Sequence, residues 1–457
     1  MSGADSGNMR DRQSSDKQVL ARAKQGFPPG TEAFAYKGNV LAVENVPLPV
    51  IAAAVGTPFY VYSAATIRRN YRAFKAAFAG LDILVAYAVK ANSNQAVLKL
   101  LAGEGAGADI VSGGELRRAL AAGFNPQKIV YSGVGKTAEE MDFALQSCIG
   151  CFNVESPAEL QLLSARAQAL GVEAPVSLRI NPDIAAGGHA KIATGKAENK
   201  FGIPQAEAFQ AYALAARLKG IKICGLDVHI GSQIEKAEPF ARAFAFAARL
   251  VQDLRRQNFP ITHIDIGGGL GIAYRAGAKP PLEPAAYAAL LRQYLGGLDL
   301  SFIAEPGRFI TGNAGALVTK VLFVKPTAAK NFIIVDAGMN DLIRPTLYNA
   351  WHEIVPVVAG QKTAAYYKSD IVGPVCETGD YLALDRQMPL MPAGALLAVL
   401  SSGAYGADMA SNYNSRLPAP EVLAEGGRFA LIRPRATYDS LLAQDKIPDW
   451  LQARAGP

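Results

Sequence analysis

Short apolar runs, often rich in β-branched residues, recur along the middle of the chain, each closing in Gly, Ser, Asn or Pro before an Ala/Leu-rich amphipathic stretch. Eight such runs stand in order: LVAYAVKAN (84–92), ADIVSGG (108–114), IVYSG (129–133), FNVES (152–156), VSLRINP (176–182), CGLDVHIGS (224–232), HIDIGGG (263–269) and FIAEPGR (302–308). Between them, SNQAVLKLLAGEG, SPAELQLLSARAQALG and PFARAFAFAARLVQDLRRQ place apolar residues at helical spacing and begin with Ser or Pro. Eight strand-helix units predict an α/β fold, a (β/α)8 TIM barrel. The long gap between the fifth and sixth runs holds GGHAKIATGKAENKFGI, whose glycines and mixed charges predict a loop at the barrel mouth.

After about Thr311 the rhythm changes. ALVTKVLFVK, NFIIVDAG, AYYKSDIVGPVC, ALLAVLSSGAY and RFALIRPRATYD read as strands without matching helices, a mostly antiparallel β-domain. EAFAYKGNVLAVENVPL, ahead of the barrel, is strand material too, so the β-domain is expected to draw on both ends of the chain. The expected division is a polar tail (1–31), N-terminal strands (32–62), the barrel (63–310) and the C-terminal β-domain (311–457).

A chain of 457 residues accommodates this plan, since one barrel of ~250 residues plus a smaller partner falls within the usual domain sizes. Half the residues are hydrophobic and 19% are charged, which excludes a disordered or fibrous protein. The formal charge of +7 is spread along the chain; its densest cluster, Arg68, Arg69, Arg72 and Lys75, reads as a solvated helix face rather than a nucleic-acid patch. Small anionic ligands are expected instead. Four cysteines are too few for a disulfide framework, and Cys148-x-x-Cys151 lacks a second pair or a nearby His to complete a zinc site, as befits a reducing cytoplasm. The first residues lack the apolar core of a signal peptide, and Gln387–Ala407, the longest uncharged stretch, is too rich in Pro, Gly and Ser for a membrane span.

Barrel enzymes keep their chemistry at the carboxyl ends of the strands, and the unusual residues fall there. Lys90 closes the first run, where its ammonium either snorkels to solvent or sits in a pocket, able to lose its charge and form an imine with a carbonyl cofactor. Gly267, Gly268 and Gly269 close the seventh, as a tight turn or as a cradle for an anion such as phosphate. His229 and Ser232 end the sixth, a structural histidine or a ligand contact and a candidate phosphate donor. Glu305, Pro306, Gly307 and Arg308 end the eighth, where carboxylate and guanidinium form either a local ion pair or part of a site. Cys376 and Glu377 join a thiol to a carboxylate in the β-domain, where buried Cys is usually packing.

Taken together, YAVKAN, GADIVSGGEL, HIGSQ, DIGGGLGI, EPGR, RPTLY and GPVCETGD resemble the motif series of the fold-type III pyridoxal-phosphate decarboxylases, diaminopimelate decarboxylase above all, from about Glu32 to Arg435. The resemblance implies an alanine-racemase-type barrel, a β-domain, and a homodimer with active sites shared at the subunit interface. It implies that Lys90 carries pyridoxal 5'-phosphate, that Gly267, Gly268, Gly269, Ser232, Gly307 and Arg308 surround its phosphate side, that His229 stacks on its ring and that Glu305 meets its pyridine nitrogen. A carboxylate there favours the pyridinium, which strengthens the ring as an electron sink. It further implies that Cys376 of the partner subunit reprotonates the carbanion, that Arg308, Arg344 and Tyr348 hold the distal carboxylate of meso-2,6-diaminopimelate, that Glu377 meets its distal amine, and that Tyr405 lies near cofactor and substrate. The implied reaction yields L-lysine and carbon dioxide, the last step of lysine biosynthesis. Ornithine- or arginine-type decarboxylases share the lysine and EPGR, but their substrates lack a second carboxylate; a non-catalytic cofactor-binding homologue could dispense with Cys376 or the arginines, which are all present.

Overall fold

The computed structural model describes residues 26–185, 195, 199–359, 365–389 and 391–452; most of the expected polar tail and most of the expected mouth loop at 187–203 lie outside the described residues. Each apolar run overlaps a strand: Ile83–Ala88, Gly107–Ile110, Ile129–Tyr131, Cys151–Val154, Ala174–Asn181, Ile221–Asp227, His263–Asp265 and Ser301–Ala304. Neighbours pair in parallel and the sheet closes on itself. Ile303 of the eighth strand stands opposite Leu84 of the first, and Asn153 of the fourth opposite Ser177 of the fifth. The runs are almost continuously apolar because parallel barrel strands are covered on both faces, by the interior on one side and the helices on the other.

Local chemistry starts and stops the outer helices. Ser156 accepts from Glu159 N ahead of Pro157–Leu170, which Gly171 ends in the left-handed conformation; Thr137 and Glu140 form a reciprocal capping box on Ala138–Gln146. Only a four-residue helix, Arg308–Thr311, follows the eighth strand. The ring is instead completed by Ala64–Ala77, which precedes the first strand and packs between Gln95–Gly103 and Pro284–Leu295.

The second sheet runs in the order Tyr381–Pro389, Tyr366–Val372, Asn331–Val335, Gly315–Pro326, Phe59–Ser63, Glu421–Glu425, Arg428–Arg433. Two of these pairings are parallel and the others antiparallel. Phe59–Ser63 comes from before the barrel and lies between strands from after it, buried on both faces: Phe59 and Val61 enter one core, Tyr60 and Tyr62 the other. The two phenols end on buried acceptors, Asp341 O and Glu421 Oε2, both at 2.6 Å. Ile354–Pro356, Tyr381–Pro389 and Glu421–Glu425 are strands that the hydrophobic pattern does not reveal. The short strands Phe34–Lys37, Val40–Val43 and Val46–Pro47 form a separate antiparallel sheet, tied to the second domain where Leu41 N donates to Val357 O. Among the described residues no helix is long and apolar enough to cross a membrane.

The two domains meet at the barrel mouth. Asn92 donates to Gly403 O (3.1 Å) and Tyr405 N donates to Ala91 O (2.8 Å), so the turn carrying Tyr405 is fastened to the segment carrying Lys90.

Candidate active site

Lys90 stands in the single 3-10 turn, Val89–Ala91, that follows the first strand, with Nζ 2.5 Å from Oδ2 of Asp109 on the second. Asp109 is completely buried, whereas the lysine side chain is 35% exposed toward the mouth. Burial pulls the amine's pKa down; Asp109 and then Glu305 outweigh it and hold the amine above its ordinary range. The lysine is thus fixed in place rather than free to snorkel, and its anchor, Asp109, is a residue that sequence reasoning did not single out.

Glu305, just past the eighth strand, lies in a buried polar layer across the barrel. Ser132 Oγ is 3.3 Å from its Oε1, and Asn153 Nδ2 lies 3.0 Å from Asp265 Oδ2. Arg179 pairs with Glu155 (2.9 Å) and reaches Asp227 (3.8 Å). Burial, then repulsion by Asp109, pushes the Glu305 carboxyl up; burial likewise raises Asp265 and Asp227. Glu305 therefore sits where a proton can be shared with a bound group. His229 goes the opposite way: burial, Arg179 and Lys90 hold its imidazole well below the usual histidine range, so it presents a neutral ring.

Side chains at the three glycines would collide with neighbouring segments, so glycine lets those segments close together beside the mouth. A Cβ on Gly267 (φ +63°) would come within 2.7 Å of His229 Cδ2, and one on Gly268 within 2.3 Å of Glu305 O. A Cβ on Gly307 would meet Ala91 Cβ at 2.9 Å, so this glycine lets the Glu305–Arg308 turn lie against the Lys90 segment. Arg308 is buried beside these glycines; its Nη2 donates to Ser232 Oγ (3.0 Å), while Nε has no hydrogen-bond partner among the described residues. A lysine for a carbonyl, glycines with Ser232 and a buried guanidinium for a phosphate, and Glu305 for a ring nitrogen fit pyridoxal phosphate group by group.

Arg308 also begins a second cluster. Its Nη1 donates to the hydroxyl of Tyr274, and its guanidinium carbon lies 4.7 Å from the centre of the Tyr405 ring. Tyr405 holds φ at +56°, a strained backbone state for a bulky residue, maintained beside the site by its bond to Ala91. Arg344, buried at the start of the short helix Arg344–Tyr348, lies 5.1 Å from the centre of the Tyr274 ring. Burial would raise the Tyr274 hydroxyl, but Arg308 and Arg344 prevail and lower it. Tyr348 lies close enough to both arginines to act on their charges. Tyr274 was not foreseen from sequence; it follows the glycine motif by five residues and carries no separate signal.

Cys376 and Glu377 are not joined to this constellation. They occupy an exposed turn, where Cys376 N donates to Asn414 Oδ1 (2.9 Å) and Glu377 Oε1 accepts from Tyr413 (2.5 Å). The neighbouring Gly379 O accepts from Thr346 of the Arg344 helix (2.6 Å), which ties the turn to that helix.

Barrel, appended sheet and lysine-carboxylate mouth define a pyridoxal-dependent decarboxylase, and residues 64–312 match the family described as "Pyridoxal-dependent decarboxylase, pyridoxal binding domain". Within that class the chain belongs to the diaminopimelate decarboxylase family. It is 50% identical to the diaminopimelate decarboxylase of Pseudomonas aeruginosa over 416 residues, covering 91% of this chain and 99% of that one, and 51% identical to that of Vibrio cholerae over 408 residues, 89% and 97%. Among solved structures, a diaminopimelate decarboxylase from M. jannaschii in complex with L-lysine superposes with a TM-score of 0.87 at 35% identity, covering 92% of this chain and 99% of that one. A lysine/ornithine decarboxylase from Vibrio vulnificus, at 21% identity and a TM-score of 0.72, covering 83% and 96%, shares the fold.

Proposed function

We propose that the protein removes one carboxylate of meso-2,6-diaminopimelate to give L-lysine and carbon dioxide, working as a cytoplasmic homodimer with pyridoxal phosphate on Lys90. One observation carries this reading: a cofactor-type mouth, with its lysine, glycines and Glu305, adjoins a second buried arginine, Arg344, that a monocarboxylate substrate would leave without an anionic partner. Bound pyridoxal phosphate supplies an electron sink for the pair released as carbon dioxide leaves. Lys90 tethers it, His229 offers a neutral ring to pack on it, and Glu305 keeps a proton at its ring nitrogen. Arg308 and Ser232 serve the phosphate side. Arg344, with Tyr348 and with Arg308 beside Tyr274, holds the far carboxylate of the substrate, and Tyr405 lies near cofactor and substrate. The exposed position of Cys376 and Glu377 suits a turn that completes the site of a second subunit, where the thiol returns the proton and the carboxylate meets the distal amine.

The test is release of carbon dioxide from meso-diaminopimelate, ornithine, arginine and lysine side by side. Turnover of diaminopimelate alone is expected, and Arg344→Ala should reduce it by on the order of 100-fold, the cost of removing one member of a buried charge pair. Preferential turnover of ornithine or arginine would assign the arginines another role.

A further inference from the structure

His352 is fully buried, lies outside the barrel and has no part in the reading above. Its Nδ1 is 3.0 Å from the carbonyl of Leu400. A carbonyl only accepts, so Nδ1 carries the proton and Nε2 keeps its lone pair. That lone pair faces Nε–H of Arg344 at 3.4 Å. The imidazole also meets the Tyr274 ring edge-on, with ring centres 5.2 Å apart, and Tyr274 is the ring over which Arg344 lies. Arg344 is therefore seated between an aromatic face and a neutral acceptor that is itself fixed to the backbone.

We infer that His352 is a positioning residue for substrate selection: it aims Arg344 at the far carboxylate of the substrate while leaving the guanidinium its whole charge. The inference rests on the proposed decarboxylation of a substrate with a distal carboxylate. An Asp or Glu behind Arg344 would orient it equally well but would pair with it, so an incoming carboxylate would meet a neutralised partner. A neutral imidazole orients without cancelling. Bonding through Nε keeps His352 off the terminal nitrogens, the end of the guanidinium that can grip a carboxylate. Arg308 has both terminal nitrogens engaged, Nη1 with Tyr274 and Nη2 with Ser232. Burial and the adjacent Arg344 keep the imidazole neutral, with its pKa down to about 3.

The experiment uses the cofactor-loaded enzyme. His352→Leu should raise KM for meso-diaminopimelate by about 10-fold or more, the scale of a hydrogen bond to a charged group, with kcat changed less than about 3-fold. His352→Gln, whose side-chain oxygen can reach the place of Nε2, should restore KM to within about 3-fold of the parent. His352→Glu should raise KM even while the protein takes up cofactor normally. A His352→Leu enzyme with unaltered KM overturns the inference. Should that variant fail to load cofactor, the comparison of Gln with Asn decides, because the Asn oxygen falls one methylene short: a higher KM for Asn supports the inference, and equal values overturn it. A parent enzyme that releases no carbon dioxide from diaminopimelate overturns the functional reading and this inference with it, whereas an active parent and an indifferent His352→Leu overturn only the inference.

Discussion

Lys90, in the turn just past the first barrel strand, faces Asp109 on the second, an ammonium open to the mouth held 2.5 Å from a carboxylate that no solvent reaches. The pair supports the proposal that Lys90 takes the cofactor. Borohydride reduction of the loaded protein followed by peptide mass spectrometry should find the pyridoxyl adduct on Lys90, and Lys90→Ala should abolish turnover. Removing the lysine also strands the buried carboxylate, so this variant should unfold at a lower temperature than the parent. An adduct on Lys200 would move the site away from the first strand.

Gly268 tests the role of the glycines. A Cβ there would approach a backbone oxygen, Glu305 O, to 2.3 Å, and backbone cannot step aside as a side chain can. Gly268→Ala should displace the Glu305–Arg308 turn and weaken pyridoxal phosphate binding by at least about 10-fold in a spectroscopic titration, within the 1–3 kcal/mol typical of overpacking. Gly135→Ala, where a Cβ would meet nothing within 4 Å, should leave cofactor affinity unchanged. Equal affinities for the two variants would show that the turn tolerates movement.

The barrel was legible because its strands are covered on both faces, so each reads as an unbroken apolar run ending at a turn residue. The second sheet was less so. Tyr381–Pro389 breaks its apolar start, YLAL, with Asp385, Arg386 and Gln387, and Glu421–Glu425 has only three apolar residues between two glutamates, so neither stands out as a strand. Glu421 is buried there because Tyr62 and Arg433, from elsewhere in the chain, supply its partners. The same non-locality hid half the candidate site. Lys90 and Glu305 stand out at strand ends, but Asp109, Asp265 and Arg179 acquire meaning only when the barrel closes and brings their strands into one polar layer. An acidic residue inside an otherwise apolar strand, as in GADI, was the available signal.

The exposed turn of Cys376 and Glu377 leads to a prediction about assembly. If it completes the site of a second subunit, Lys90→Ala and Cys376→Ala proteins, each inactive alone, should regain activity when mixed and allowed to exchange. Random mixing places one intact site in each heterodimer, so recovery is limited to about one quarter of all sites, by the symmetry of a two-fold interface. Subunit exchange shown independently, with no recovered activity, would place thiol and lysine in a single chain's site.

Acid stability should report on His352. Its pKa lies at about 3 in the folded protein, against ~6.5 for an unperturbed histidine, so between these values the unfolded chain binds a proton that the folded chain does not. Folding stability from this group is complete above pH ~6.5 and declines as pH falls below it, by at most ~1.4 kcal/mol per pH unit. His229, also held low, acts in the same sense. The buried acids act in the opposite one: Glu305, Asp265 and Asp227 have raised pKa values, so the folded state binds their protons first and gains stability as pH drops across the same range. The pH profile of the parent enzyme alone is a difference of these effects and does not isolate the histidine. His352→Gln removes one titrating group and keeps the neutral acceptor behind Arg344. The gap in melting temperature between parent and His352→Gln should stay constant above pH 7 and shift in favour of the variant on acidification, by the equivalent of ~2 kcal/mol at pH 5. A gap that does not change with pH would mean that His352 takes up its proton without unfolding, and a charged imidazole behind Arg344 would then have to share the pocket with a second cation.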